Sequence, residues 1–177
     1  MVVRYATVAF AAAVLATTAA LSVSALEPKT ARAASIVKTC GSGTITLNYK
    51  EERTLILHNR ERISRGLRAL CVHPKLTKAA RAHSTDMIKN DYLGHGFVGS
   101  RLRLYGYNWR IYAENIGGGT GEYASPANVF SRWMNSSTHR ANILDGRYRE
   151  IGIGTATGNY KGRTGYTMYT VDFGTRY

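Results

Sequence analysis

Acidic residues are scarce in this chain: 11 Asp and Glu stand against 24 Lys and Arg, a formal net charge of +13 over 177 residues. An imbalance of that size favours anionic partners at long range. Cysteine is almost missing, with only Cys40 and Cys71 present. If those two pair, no thiol is left to act as a nucleophile. Several catalytic signatures are absent as well. There is no Gly-x-Ser-x-Gly elbow, no His-Glu-x-x-His, and no glycine-rich loop ending in Gly-Lys-Ser/Thr. The positive charge comes without a zinc knuckle, an RNP-like strand or a helix-turn-helix pattern, and its Lys and Arg are dispersed along the chain. Nucleic acid is therefore not the expected partner. Beyond residue 33 no apolar stretch is long enough to cross a membrane, and there is no internal repeat or low-complexity linker.

What is present begins with an export segment. Arg4 supplies a short positive start, residues 6–23 carry no charge, and a polar stretch ends in Ala31-Arg32-Ala33. This is the order of a secretory signal peptide, with cleavage expected between Ala33 and Ala34. Removing residues 1–33 takes away three cations and one anion and leaves 144 residues at +11. That is one ordinary domain, secreted and extracellular, with no transmembrane segment in its mature form. Outside a cell, the anionic partners that suit the charge are lipid, glycan or cell-wall polymer; a merely solvated basic surface is the plainer alternative. In an oxidising compartment Cys40 and Cys71 are expected to form a disulfide closing a loop of about 30 residues, worth roughly 3–4 kcal/mol.

The pattern along the mature chain predicts helices first and strands last. Residues 34–50 form an extended N-terminal lead-in carrying Cys40, with a turn at Gly41-Ser42-Gly43. Leu55, Ile56, Ile63 and Leu67 recur at helical spacing, predicting a helix from Glu51 to the stop at Gly66. Pro74 opens a second helix that fades by Asp91. A short helix is expected over Arg101 to Tyr105, then an ordered segment around Ala113-Glu114-Asn115-Ile116 and a loop from Gly117 to Gly121. Ser125-Pro126 caps a further helix bearing Trp133. Ile151, Ile153 and Thr155, and then residues 166–171, read as strands, with a hairpin loop from Thr157 to Gly165. The resulting class is α+β in layers.

Among the five histidines, His58 and His83 lie on predicted helices and suit buried hydrogen bonds, while His73 reads as surface. His95 sits between Gly94 and Gly96, His139 follows a polar turn, and Glu114 lies between them in sequence. If these loops converge, two imidazoles and a carboxylate make a Zn²⁺ ligand set with an open position. The serines just before His139 do not suggest a nucleophilic triad, since a near neighbour does not easily meet the ring in the required geometry.

Ordered motifs now accumulate. They are His58-Asn59-x-x-Arg62, Leu76-x-x-Ala79-Ala80-x-x-His83-Ser84-x-Asp86-Met87, Gly94-His95-x-x-Val98-Gly99 and Glu114-Asn115-Ile116. Then come Trp133-Met134-Asn135-Ser136-x-x-His139-Arg140-x-Asn142-Ile143-Leu144, Tyr148-x-x-Ile151-Gly152-Ile153-Gly154 and Val171-Asp172-Phe173-Gly174. In this order they resemble the CAP superfamily (also called SCP; cysteine-rich secretory, antigen 5 and pathogenesis-related proteins), of bacterial type. The resemblance runs over about residues 51–174 and places a CAP domain at 51–177. It implies an α-β-α sandwich with a central antiparallel sheet between helix layers and a cleft. It also implies a tetrad of two His and two Glu, which binds a divalent cation in some members. His95, Glu114 and His139 match three of the four, while Ser136 stands where the second Glu is expected, with Asn115 beside it in the cleft. The remaining His-Glu-His could hold zinc or another divalent cation, or form a hydrogen-bonded knot in which Glu114 orients an imidazole. Two functions follow: a non-enzymatic binding module, or a zinc-dependent hydrolase with Glu114 as ligand or general base.

Overall fold

The computed structural model describes residues 33–177, so the export segment expected over 1–33 lies, but for its last residue, outside the described residues. Two short strands, β1 (Ser35–Lys38) and β2 (Thr44–Leu47), form an antiparallel hairpin at the start. The Cys40–Cys71 disulfide joins its turn to β3 (Cys71–Val72). Asn48 then opens α1 (Tyr49–Ser64) with a capping box: its side chain accepts from the Glu51 N–H, and the Glu51 carboxylate accepts from the Asn48 N–H. At the other end Gly66, with φ of +72°, supplies the left-handed residue that stops the helix.

The face that α1 buries is polar rather than the expected Leu/Ile stripe. Glu51, Thr54, His58 and Arg62 are its buried residues, whereas Ile63 is exposed. Its two charged groups are matched. Glu51 takes a two-pronged pair from Arg81 at 2.9 and 2.6 Å. The Arg62 guanidinium donates to the carbonyls of Arg68, Ile143, Asp145 and Tyr148. It thereby satisfies four acceptors that would be costly to bury unpaired.

The remaining elements are α2 (Pro74–Lys89), α3 (Val98–Leu104), β4 (Trp109–Gly119), a 3₁₀ turn over Gly121–Ala124, α4 (Pro126–Asn135), α5 (Ser137–Leu144), β5 (Glu150–Tyr160) and β6 (Arg163–Arg176). The main sheet has the order β3-β5-β6-β4 and is antiparallel except for the two-residue β3, which runs parallel to β5. Its side chains alternate between two layers. Ile151, Ile153, Tyr169, Val171 and Phe173 pack with Trp133 and Ile143 from α4 and α5, while Leu76, Ala79, Leu102 and Tyr107 cluster around α2 and α3. The molecule is thus an α-β-α sandwich. Glycine sets the spacing of the α2 layer: a Cβ at Gly152 would lie 2.2 Å from the Leu76 carbonyl carbon, and one at Gly154 would lie 2.1 Å from the Arg81 nitrogen.

Three local expectations are corrected. Strand β4 runs straight through Gly117-Gly118-Gly119 instead of ending in a loop there, because these residues pair with Tyr169, Met168 and Thr167 of β6, and glycine is needed where a Cβ at Gly118 would strike Tyr166 and the Thr167 carbonyl. The expected loop over 157–165 shrinks to Lys161-Gly162, both at positive φ, so the strands continue to the hairpin turn. His73 is buried rather than on the surface; its ring nitrogen accepts from the Lys75 N–H at the start of α2.

Candidate functional site

The candidate site gathers at β4, the edge strand of the sheet. Successive residues of a strand face opposite ways, and here Glu114 and Asn115 divide the two sides of the sheet. The Asn115 amide donates to the His139 carbonyl and its oxygen accepts from Asn142, both on α5. Glu114 instead turns toward α2 and α3, where its side chain is 1% exposed.

The surroundings of Glu114 are fully engaged. His95 Nδ1 donates to Oε1 at 2.8 Å, and Arg101 of α3 donates to Oε2. A second Arg101 nitrogen donates to the His95 carbonyl at 3.0 Å, so one guanidinium ties down both the carboxylate and the His95 loop. His83 Nε2 lies 3.9 Å from Oε1 but donates to the Gly94 carbonyl at 2.9 Å. Burial, followed by the nearby Arg101 charge, pushes the His83 pKa down and keeps that ring neutral.

Beside Glu114 in the cross-strand register is Asp172, fully buried, with no hydrogen-bond partner on either oxygen. An ionised carboxylate there would be unpaired. Burial, and then the negative charge of Glu114, pushes the Asp172 pKa well up, which favours its neutral acid form. Of the two carboxyls, only Glu114 has a cation at hand.

His139 is placed differently. Its Nδ1 shares a hydrogen bond of 2.8 Å with Ser136 Oγ, so the serine and the ring do meet across the first turn of α5, contrary to expectation. Among the described residues no carboxylate pairs with this ring, so a third triad member is lacking. Burial, then the positive charge of His95, lowers the His139 pKa.

These placements test the metal expectation. Among the described residues, the only His, Cys, Asp or Glu trio with donor atoms all within 4.8 Å of one another is Cys40, Cys71 and Glu150, whose sulfurs are joined in the disulfide. His95, Glu114 and His139 do not form such a trio, both Glu114 oxygens are occupied, and a guanidinium stands against them. As arranged, these residues do not fit a divalent cation, which needs open donors in one cluster.

Sequence reasoning missed Arg101 and Asp172. Asp172 had a signal, a lone acid inside a β-branched and aromatic run. Arg101 had none in its spacing. Next to this knot, α2 and α3 flank a groove of about 660 Å³ lined by Ala82, His83 and Asp86 on one side and Phe97, Arg101 and Leu104 on the other. Phe97 and Leu104 are 87% and 81% exposed.

Residues 55–173 match the Cysteine-rich secretory protein family, CAP. The chain is 33% identical over 121 residues to the YkwD protein of Bacillus subtilis (strain 168), covering 66% of this chain and 46% of that one. It is 29% identical over 109 residues to the membrane protein YlbC of the same organism, covering 59% of this chain and 31% of that one. It therefore spans less than half the length of these relatives. Among solved structures, it resembles an extracellular protein containing a SCP domain from Bacillus anthracis str. Ames, with TM-score 0.61, 26% identity, and coverage of 72% of this chain and 40% of that one. An outer surface protein of Borrelia burgdorferi shares the fold at TM-score 0.63 and 17% identity, over 82% of this chain and all of that one.

Proposed function

Because the chain belongs to the CAP family, the question is what its CAP domain does, and we propose that it is an exported, non-enzymatic binding module for anionic surface material, with anionic lipid the ligand best suited to its groove. The observation that carries this reading is the rim of the α2–α3 groove. Phe97 and Leu104 stand almost wholly in water beside it. Exposed apolar groups that flank a groove mark an interaction site. Arg103, stacked over Trp109, and Lys78, over Tyr105, bring positive charge to the same region. An apolar rim within a basic field suits an amphiphile with an anionic head.

The wider charge supports the same reading. Among the described residues only Arg65, Arg81, Arg101, Arg147 and Arg176 pair with carboxylates, so most of the basic side chains lack an acidic partner. No helix among the described residues is long and apolar enough to cross a membrane, so attachment would be peripheral.

Co-sedimentation with lipid vesicles tests the proposal. At about 50 mM salt the protein should pellet with phosphatidylglycerol vesicles and not with phosphatidylcholine ones. It should release at about 1 M, where the screening length is about 3 Å. Replacing Phe97 and Leu104 with Asp should weaken binding at least about tenfold, since burying one such side chain is worth roughly 1.5–3 kcal/mol. Equal binding to both vesicle types, or binding unmoved by salt, refutes the reading. Salt-sensitive binding to soluble anionic wall polymer but not to vesicles would move the ligand from lipid to glycan.

A further inference from the structure

We propose that Arg101 is the resident cation of this cleft: its guanidinium stands in the electrostatic place of a divalent ion, so that Glu114 serves as its counter-charge and the site works without metal. The inference does not rest on the anionic-surface reading, because it is argued from the contacts of Glu114 and not from the exposed Phe97 and Leu104.

A carboxylate as buried as Glu114 needs compensating charge. The Arg101 side chain, only 13% exposed, supplies it on one oxygen while the His95 N–H occupies the other. The same guanidinium holds the His95 carbonyl, so it fixes both the anion and the loop that carries the nearest imidazole. A divalent ion entering this arrangement would meet an adjacent guanidinium and no free Glu114 oxygen. Without Arg101, Glu114 would face His95 and His83 with no opposing cation, a carboxylate and imidazole set of the kind that attracts Zn²⁺.

The test is a calorimetric zinc chloride titration of the mature protein, the Arg101→Gln variant and the Arg101→Gln/His95→Ala double variant in chelator-free buffer. The wild type should show no saturable one-to-one site up to about 1 mM zinc. Arg101→Gln should bind at least about tenfold more tightly, and the double variant should lose that gain. A wild-type site that disappears in His95→Ala or His139→Ala overturns the proposal, and so does a folded Arg101→Gln that behaves like the wild type. Should Arg101→Gln fail to fold by circular dichroism, histidine ¹⁵N–¹H spectra of the wild type decide. A His95 Nδ1–H signal unmoved by about 1 mM zinc upholds the resident cation, and one shifted or broadened beyond detection refutes it.

Discussion

Acid should weaken this fold chiefly through His58. The ring is fully buried between Phe130, Trp133 and Phe173, with centroids 5.0–5.8 Å away. Its Nδ1 donates to the Thr54 carbonyl at 2.7 Å, which leaves Nε2 without a partner. A second proton would therefore sit on Nε2 in apolar surroundings. Burial, and to a lesser degree the Arg62 charge, pushes the pKa down to about 4 from 6.5, against the Thr54 hydrogen bond. The folded state thus binds that proton less readily than the unfolded chain. The resulting stability is full above pH 6.5 and is lost as pH falls toward 4. At about 1.36 kcal/mol per pKa unit, the loss is about 2 kcal/mol at pH 5 and about 3 kcal/mol near pH 4.

Urea unfolding of the wild type and of His58→Phe across pH 7.5 to 4 measures this loss. Phenylalanine suits the aromatic shell, and the Thr54 carbonyl keeps its helical bond to the amide four residues on. Asp172 titrates in the opposite sense, since a raised carboxyl pKa costs stability that returns as pH falls. Only the difference between the two proteins isolates His58. The wild-type midpoint should drop by roughly 1 M more than the variant's between pH 7.5 and 5, for a slope of about 2 kcal/mol per molar. Parallel curves for the two proteins would refute the assignment.

Two further outcomes follow from the packing. Replacing Cys40 and Cys71 with Ser opens a loop with a sequence separation of 31 and should cost about 3–4 kcal/mol in denaturant unfolding; unchanged stability would show that the β1–β2 hairpin holds its place on β3 through its backbone contacts alone. Gly152→Ala or Gly154→Ala drives a methyl into the backbone of α2 and should cost about 3 kcal/mol or prevent folding. By contrast Gly146→Ala, whose nearest neighbour would be Leu67 Cδ2 at 3.5 Å, should stay within about 0.5 kcal/mol of wild type. Similar losses at all three glycines would mean that the distance of α2 from the sheet is not what Gly152 and Gly154 secure.

The fold was legible in sequence where local chemistry and tertiary role agree. Pro74 and Ser125-Pro126 open helices, Gly66 closes one, and the alternation around Ile151 and Val171 marks buried strands. It was illegible where they part. Hydrophobic periodicity assigns α1 an apolar inner face, yet Glu51, His58 and Arg62 occupy it because distant partners satisfy them: Arg81 for the acid, an aromatic shell for the imidazole, and four carbonyls for the guanidinium. The motif His58-Asn59-x-x-Arg62 is thereby explained as structure, since Asn59 also ties itself to Leu70 in both directions at 2.9 and 2.8 Å. Glycine misleads in the same way at Gly117–Gly119, where the missing side chains answer to Tyr166 and Tyr123 across the fold and not to a flexible loop.

The candidate site was half legible for a related reason. His95, Glu114 and Ser136 are short-range features of recognisable segments, but the group that decides their chemistry reaches them from another element. Arg101 closes on Glu114 from α3, thirteen residues away, through a long side chain whose destination no spacing reveals. Ser136 lies where the resemblance leads one to expect a carboxylate, and its hydroxyl binds the His139 ring. The two departures have one electrostatic consequence. One negative charge is missing on the His139 side, one positive charge is built in on the Glu114 side, and the edge strand β4 stands between them. A cleft altered in both places attracts cations less at each of its imidazoles. The lowered His139 pKa agrees in direction, arising from burial and from the like charge of His95 with no carboxylate to offset them.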